Sequence, residues 1–257
     1  MTFTVSYELD CVRLRARRLK PAIRFYSSLF GCPVIKELFN GEMYAFRMSD
    51  GRLLLLDDIR AADVREPLAR PAAVLVAKEL SAANEHTKLF PFAHVSPIEK
   101  GVNYLYFTCR DTDHNMFAVA DRPYPYTGTV QITSASPIDA RTSHLVLPVS
   151  DVRKAGAFYA QWLSVPEPAG VVADNGCFRI GLQDGTQIEL IPDDGQGNRA
   201  FPLLRLHSED LPAAYEHLKA MQADLLTGPA DAERGQPILF NDCDGRLLAV
   251  ESARRHP

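Results

Sequence analysis

The chain repeats itself at an offset of about 130 residues, and self-similarity over that distance restricts the fold more than any single motif. The segment from Val12 to Phe25 and Tyr26 aligns with the segment from Leu145 to Phe158 and Tyr159. In each copy a strand-like alternation runs into a helical pattern that contains Phe-Tyr. Phe46-Arg47-Met48 followed by Asp50-Gly51 matches Phe178-Arg179-Ile180 followed by Asp184-Gly185, a strand and a turn. Asp111 to Val119 matches Asp242 to Val250, and both stretches open with Asp-x-Asp. Between the copies, Arg122 to Tyr126 is rich in Pro and Tyr, and a Thr/Ser-rich run reaches Ser143, a composition typical of linkers. The repeat therefore predicts an N-terminal domain over 1–126, a linker over 127–139 and a C-terminal domain over 140–257.

At 257 residues there is enough chain for two cores of ordinary size. A formal charge of -4 with 23% charged residues is too small and mixed to suggest nucleic-acid or polyanion binding, so no nucleic-acid partner is expected. Neither a basic start with an apolar core nor an uninterrupted apolar run of roughly 18 residues occurs, so no membrane partner and a cytoplasmic location are expected. The five cysteines are scattered without a Cys-x-x-Cys pair, which predicts reduced thiols.

In the second half, strands are expected at His144–Val149, Cys177–Leu182 and Thr186–Ile191, with a helix over Val152–Leu163. A second unit follows: a strand from Phe201 to His207, a helix from Leu211 to Met221, and strands over Pro237–Asn241 and Arg246–Ser252. That order is βαβββ, twice. In the first half Pro71–Ala77, Ser81–Leu89, Val102–Thr108 and Met116–Ala120 supply the later unit, and the charged stretch from Asp57 to Arg70 reads as a loop or short helix. The fold class expected is α+β, two tandem domains, each of paired βαβββ units forming a cupped, mostly antiparallel sheet.

His144-Leu-Val-Leu-Pro-Val-Ser-Asp151, the helix through Phe158-Tyr159, Ile188-Glu189-Leu190 and Asp242-Cys-Asp244-Gly245, in this order, resemble the vicinal-oxygen-chelate superfamily of glyoxalases, bleomycin-resistance proteins and extradiol dioxygenases. The resemblance covers nearly all of the C-terminal half and, through the repeat, the first half more weakly. It implies a small-molecule substrate or ligand. It also implies a divalent metal (iron, manganese, nickel or zinc) held by the first and last strands of each unit, where the cation offsets oxyanion charge. Carried over one position at a time, it places His144 first, Glu189 second, Leu203 third and Ala249 fourth; the last two have no donor atom. Glu251, two residues past Ala249 on the same strand face, is the substitute ligand. His144, Glu189 and Glu251 are thus the metal candidates, with Glu189 and Glu251 also the catalytic ones.

Each candidate has a plainer reading. His144 can be hydrogen-bonded scaffold, and Glu189 can pair with Arg205, which shares the face of Leu203. Arg205 and His207 are the substrate-binding candidates there. The first-half equivalents of His144, Glu189 and Ala249 are Cys11, Leu55 and Ala118, which leaves no metal site of the family type. Arg13, Arg15 and Arg17 share one strand face with Cys11, and Arg13 and Arg15 suit a carboxylate or phosphate, or pair with Asp57, Asp58 or acidic residues across a domain interface. Two functions follow: a metal-assisted lyase, isomerase or dioxygenase acting in the C-terminal domain, or a binding or antibiotic-sequestering protein that uses no metal. A monomer or homodimer is compatible with either.

Overall fold

The structure, a computed structural model, describes residues 5–38, 42–58, 72–101, 103–123, 129–132, 136–139, 141, 144–165, 176–182, 184–193 and 202–253. In chain order these form β1 (Glu8–Ala16), α1 (Leu19–Leu29), a single 3-10 turn (Lys36–Leu38), β2 (Met43–Arg47), β3 (Leu53–Asp58), β4 (Ala73–Val76) and α2 (Leu80–Lys88). Then come β5 (His94–Val95), β6 (Glu99–Lys100), β7 (Leu105–Arg110), β8 (Met116–Ala120), β9 (Val130–Gln131), β10 (His144–Val149) and α3 (Val152–Trp162). The remainder is β11 (Phe178–Gly181), β12 (Gln187–Pro192), β13 (Leu204–Ser208), α4 (Leu211–Ala220), β14 (Asp224–Leu225), α5 (Pro229–Glu233), β15 (Ile238–Asn241) and β16 (Leu247–Ser252). The fold is α+β. No helix among the described residues is long and apolar enough to cross a membrane. None of the five cysteines, all of them described, forms a disulfide, and all but Cys243 are buried.

The chain condenses into two compact units, each drawing on both sides of the linker. One comprises Met1–Arg13, Arg65–Tyr126 and His144–Asn198; the other comprises Leu14–Val64, Thr127–Ser143 and Arg199–Pro257. The repeat divides the chain by sequence and the units divide it by contact, and the two partitions differ. In the first unit β1 pairs antiparallel with β4, β4 parallel with β8, and β8 antiparallel with β7, which also takes β5 and β6. A separate sheet there has β10 parallel to β12 and β11 antiparallel to β12. In the second unit β2 lies between β3 and β9, while β13, β16, β15 and β14 form a sheet in that order. The strand preceding a helix pairs in parallel with a later strand of its own segment in β4/β8, β10/β12 and β13/β16, because a helical crossover returns the chain in the same direction.

Helix signals differ between the halves. Asp151 caps α3 by accepting from the backbone N–H groups of Arg153 and Lys154, and Asp210 caps α4 by accepting from that of Ala213. At the same positions α1 and α2 have Arg18 and Glu79, without a side-chain cap bond. The first half is correspondingly harder to read from sequence. The Thr/Ser-rich run expected as a linker also departs from expectation: β9 pairs with β2, Ser136 Oγ donates to the Leu29 carbonyl (2.8 Å), and Ser208 Oγ donates to the Pro137 carbonyl (2.7 Å). These described parts of the run are thus bonded to the second unit. Of the charged stretch from Asp57 to Arg70, Asp57 and Asp58 end β3 and are buried, and residues 59–71 lie outside the described residues.

Gly156 sits mid-helix in α3, where a glycine is normally unfavourable. A Cβ built there would lie 2.8 Å from the Phe178 ring, so the helix reaches β11 only without one. Gly156→Ala should therefore cost about 1–3 kcal/mol, as overpacking does, despite the gain in helix propensity. A urea unfolding curve checks it, and an unchanged or raised midpoint would contradict the close approach.

The residues that define the repeat form the same network in each unit. Tyr159 donates to Asp111 Oδ2 (2.5 Å), and Tyr26 donates to Asp242 Oδ2 (2.9 Å). Each Asp also accepts through Oδ1 from the backbone N–H four residues on, that of Asn115 (2.7 Å) or Arg246 (2.9 Å). The side chains of Asn115 and Arg246 bond the other oxygen at 3.0 and 2.7 Å. Both turns need a positive φ at the fourth residue, 79° at Gly245 and 68° at His114. A buried carboxylate surrounded by donors is thus the device that both copies share, and it accounts for the recurrence of Phe-Tyr and Asp-x-Asp.

Candidate functional site

The register of β10, β11 and β12 decides which side chains share a face. His144 lies beside Gln187, Val146 beside Glu189, and Arg179 opposite Glu189. These five project to one side, while Leu145, Leu147, Ile188 and Leu190 project to the other and are buried. His144 Nε2 donates to Gln187 Oε1 at 3.0 Å. Glu189 is fully buried, and its Oε1 accepts from Arg179 Nε at 3.1 Å and Nη2 at 2.9 Å. A carboxylate removed from water needs a cation or several donors. Here the opposing strand of its own hairpin supplies the guanidinium, whose side chain keeps 44% of its surface exposed. Arg179 and Gln187 were not among the sequence candidates. The signal was available: a turn at Asp184-Gly185, with φ of 82° at the glycine, sets the pairing that brings Arg179 opposite Glu189.

In the second unit Arg205 lies beside Ala249 and His207 beside Glu251 on parallel strands. Leu204, Leu206, Leu248 and Val250 take the buried opposite face. Arg205, itself buried, reaches two residues along the neighbouring strand to donate from Nη1 to Glu251 Oε1. His207 sits beside that pair and forms a backbone bridge with Asp139. Burial lowers the His207 pKa below its ordinary value; the Glu251 and Asp139 carboxylates oppose the shift without reversing it. The neutral imidazole, able both to donate and to accept, is accordingly favoured on this face.

The three metal candidates are distributed with His144 and Glu189 in one unit and Glu251 in the other. All three are engaged, by Gln187, Arg179 and Arg205 respectively. Ala249 is buried and, like Leu203, has no donor. Among the described residues no group of three or more His, Cys, Asp or Glu side chains is placed to hold a metal ion. As they stand, these donors do not fit a divalent cation's ligand set, which needs deprotonated atoms converging on one point.

On β1 the alternation is as expected, with Arg13 and Arg15 half-buried between the buried Val12, Leu14 and Ala16. Arg13 belongs to the first unit, where its backbone N–H donates to the Ala72 carbonyl at 2.9 Å; Arg15 belongs to the second, where its carbonyl accepts from Arg246 Nη1 at 2.5 Å. Cys11, Leu55 and Ala118 are all buried.

No protein-family model and no curated protein matches this chain in sequence. Solved structures do match in fold. A 2,3-dioxygenase, LapB, from Pseudomonas sp. KL28 is 13% identical with a TM-score of 0.56, over 97% of this chain and 93% of its own. A variant of 4-hydroxymandelate synthase from Streptomyces coelicolor is 11% identical with a TM-score of 0.61, over 98% and 95%. The Mn(II)-bound glyoxalase from Novosphingobium aromaticivorans is 14% identical with a TM-score of 0.56, over 96% and 80%.

Proposed function

We propose that this chain, which has the vicinal-oxygen-chelate fold, is a small-molecule-binding protein that uses its own guanidinium groups where metal-dependent proteins of that fold use a cation. The observation that carries the reading is the fully buried Glu189, held by two N–H groups of Arg179. Glu251, partly exposed, accepts from one N–H group of Arg205. A metal bound by either carboxylate would have to displace the guanidinium that now holds it and leave that cation near its own charge, which is unfavourable. Arg205 with His207, and separately Arg13 and Arg15, are the groups proposed to bind a partly aromatic or anionic ligand. The guanidinium fork orients a carboxylate, and a neutral imidazole accepts or donates one hydrogen bond.

A second reading is favoured by the functions of the similar structures, a 2,3-dioxygenase and a Mn(II)-bound glyoxalase among them. In it His144, Glu189 and Glu251 hold a divalent metal, which when bound polarises a substrate oxygen, and the chain is a metal-assisted lyase, isomerase or dioxygenase. Calorimetric titration of the full chain with manganese, iron, nickel and zinc separates the readings. The binding-protein reading expects no heat above background in the wild type and none in Glu189→Ala. Stoichiometric binding that Glu189→Ala abolishes would overturn it in favour of the metalloenzyme.

A further inference from the structure

A cavity of about 310 Å³ lies within the first unit, where the turn after β7 meets the start of α3. Asp111, Asp113, Asp151 and Lys154 supply its charge, and Phe158 with Pro91 its apolar lining. Every residue that lines it, with its neighbours in sequence, is among the described residues. The three carboxylates are compensated unequally. Asp151 caps α3 and lies 3.8 Å from Lys154 Nζ, so a helix terminus and an ammonium group both offset its charge. Asp111 and Asp113 have neutral donors: the Tyr159 hydroxyl, the Asn115 backbone N–H and the Asn115 amide for Asp111, and the Ser150 backbone N–H (3.1 Å) for Asp113. Among the described residues neither forms an ion pair.

The second copy of the repeat holds a cation at the equivalent carboxylates. Asp242 and Asp244 correspond to Asp111 and Asp113, and Arg246 corresponds to Asn115. Arg246 donates from Nε to Asp242 Oδ2 at 2.7 Å and from Nη2 to Asp244 Oδ2 at 3.2 Å. Arg17 and Arg18, both exposed, stand where the first copy has Ser150 and Asp151. Asn115 reproduces only part of what the arginine does. Its amide reaches Asp111 Oδ2 and the Pro148 carbonyl, as Arg246 reaches Asp242 and the Arg15 carbonyl, but it gives Asp113 no donor. The cavity is lined by both aspartates, so the cation that Asn115 lacks has space there and two acceptors. Phe158, half-buried and 5.0 Å from Phe92 between ring centroids, adds an aromatic wall, which suits a cation carrying an apolar body. The volume is within the range of small-molecule sites.

We infer that this cavity binds a small organic cation, an amidinium or guanidinium with an aryl or short alkyl body, its charge between Asp111 and Asp113 and its apolar part against Phe158. The ligand does in the first copy what the Arg246 side chain does in the second. The site is independent of the function proposed above, because it shares no residue with the groups proposed there.

The test uses the full chain with 4-aminobenzamidine as fluorescent probe and benzamidine, benzamide and potassium chloride as competitors. Saturable probe binding is expected. Benzamidine should displace the probe. Benzamide, of nearly the same shape without the charge, and potassium chloride, a cation without the apolar body, should not do so at the same concentration. Asp113→Asn keeps an acceptor for the Ser150 N–H and removes the charge, so it should weaken probe affinity roughly tenfold, equivalent to about 1.4 kcal/mol. Asn115→Arg gives the first copy the internal cation of the second and should remove probe binding. Circular dichroism checks that both variants fold, and if Asn115→Arg does not, Asp113→Asn decides alone. Absence of saturable binding, unchanged affinity in Asp113→Asn or in folded Asn115→Arg, or equal displacement by benzamide would overturn the inference. Binding that Glu189→Gln or Glu251→Gln removes and Asp113→Asn leaves intact would assign the probe to the sheet faces and overturn it too.

Discussion

Asp242→Ala is expected to destabilise the fold by about 3–5 kcal/mol, the usual cost of removing one partner of a buried ion pair. Asp242 is 5% exposed and accepts from the Tyr26 hydroxyl, the backbone N–H groups of Asp244 and Arg246, and Arg246 Nε. Alanine would orphan the Tyr26 hydroxyl, which burial and the Asp242 charge already hold in its neutral form with a pKa well above the ordinary value. It would also leave the Arg246 guanidinium to Asp244, at the longer distance of 3.2 Å. Tyr26→Phe is the companion variant. It removes one donor and leaves the carboxylate with the others, so about 1 kcal/mol is expected. Urea unfolding followed by far-ultraviolet circular dichroism compares the two. Equal midpoints would mean that Asp242 is not the centre of the network.

Trp162→Ala should cost a similar amount, about 3–5 kcal/mol, by a different mechanism, since it opens a cavity in a packed aromatic cluster. The indole is completely buried at the end of α3, with ring centroids of Phe92, Tyr7 and Phe117 at 4.9, 5.3 and 5.5 Å. Its Nε1 donates to Thr87 Oγ1 at 3.0 Å. Trp162→Phe keeps most of the aromatic contact and loses that hydrogen bond, so about 1–2 kcal/mol is expected. Because Trp162 is the chain's single tryptophan, its wild-type emission should be blue-shifted and should move to the red in one transition with loss of structure. An alanine variant as stable as the wild type would contradict the packing described for the first unit.

Much of the secondary structure was legible because periodicity is local. His144–Val149 was read to the residue, as was Met116–Ala120; the helix containing Phe158-Tyr159 came within one residue of its end, and a helix was expected at Phe25-Tyr26. Short elements without a hydrophobic stripe, such as β14 and the five-residue α5, left no such trace. Face assignments also followed from alternation: His144 and Glu189 share one side of their sheet, and Arg205, Ala249 and Glu251 share one side of theirs. Partners did not. Alternation says which way Glu189 projects, but its cation is set by strand register, and the hairpin brings Arg179 opposite it.

The repeat shows the boundary most clearly. By itself the sequence determined that two Phe-Tyr helices and two Asp-x-Asp turns recur at one spacing, because recurrence is a property of residue order. Which tyrosine meets which aspartate was decided only in three dimensions. Tyr26 and Tyr159 are equivalent donors, and Asp111 and Asp242 are equivalent acceptors, so hydrogen bonding as such does not distinguish the two possible pairings. Tertiary packing chose the pairs that join the halves: Tyr26 with Asp242 and Tyr159 with Asp111. The physical reason is that a segment's pattern specifies the face it must bury, while the surface that covers that face comes from residues more than 40 positions away along the chain for one pair and more than 200 for the other.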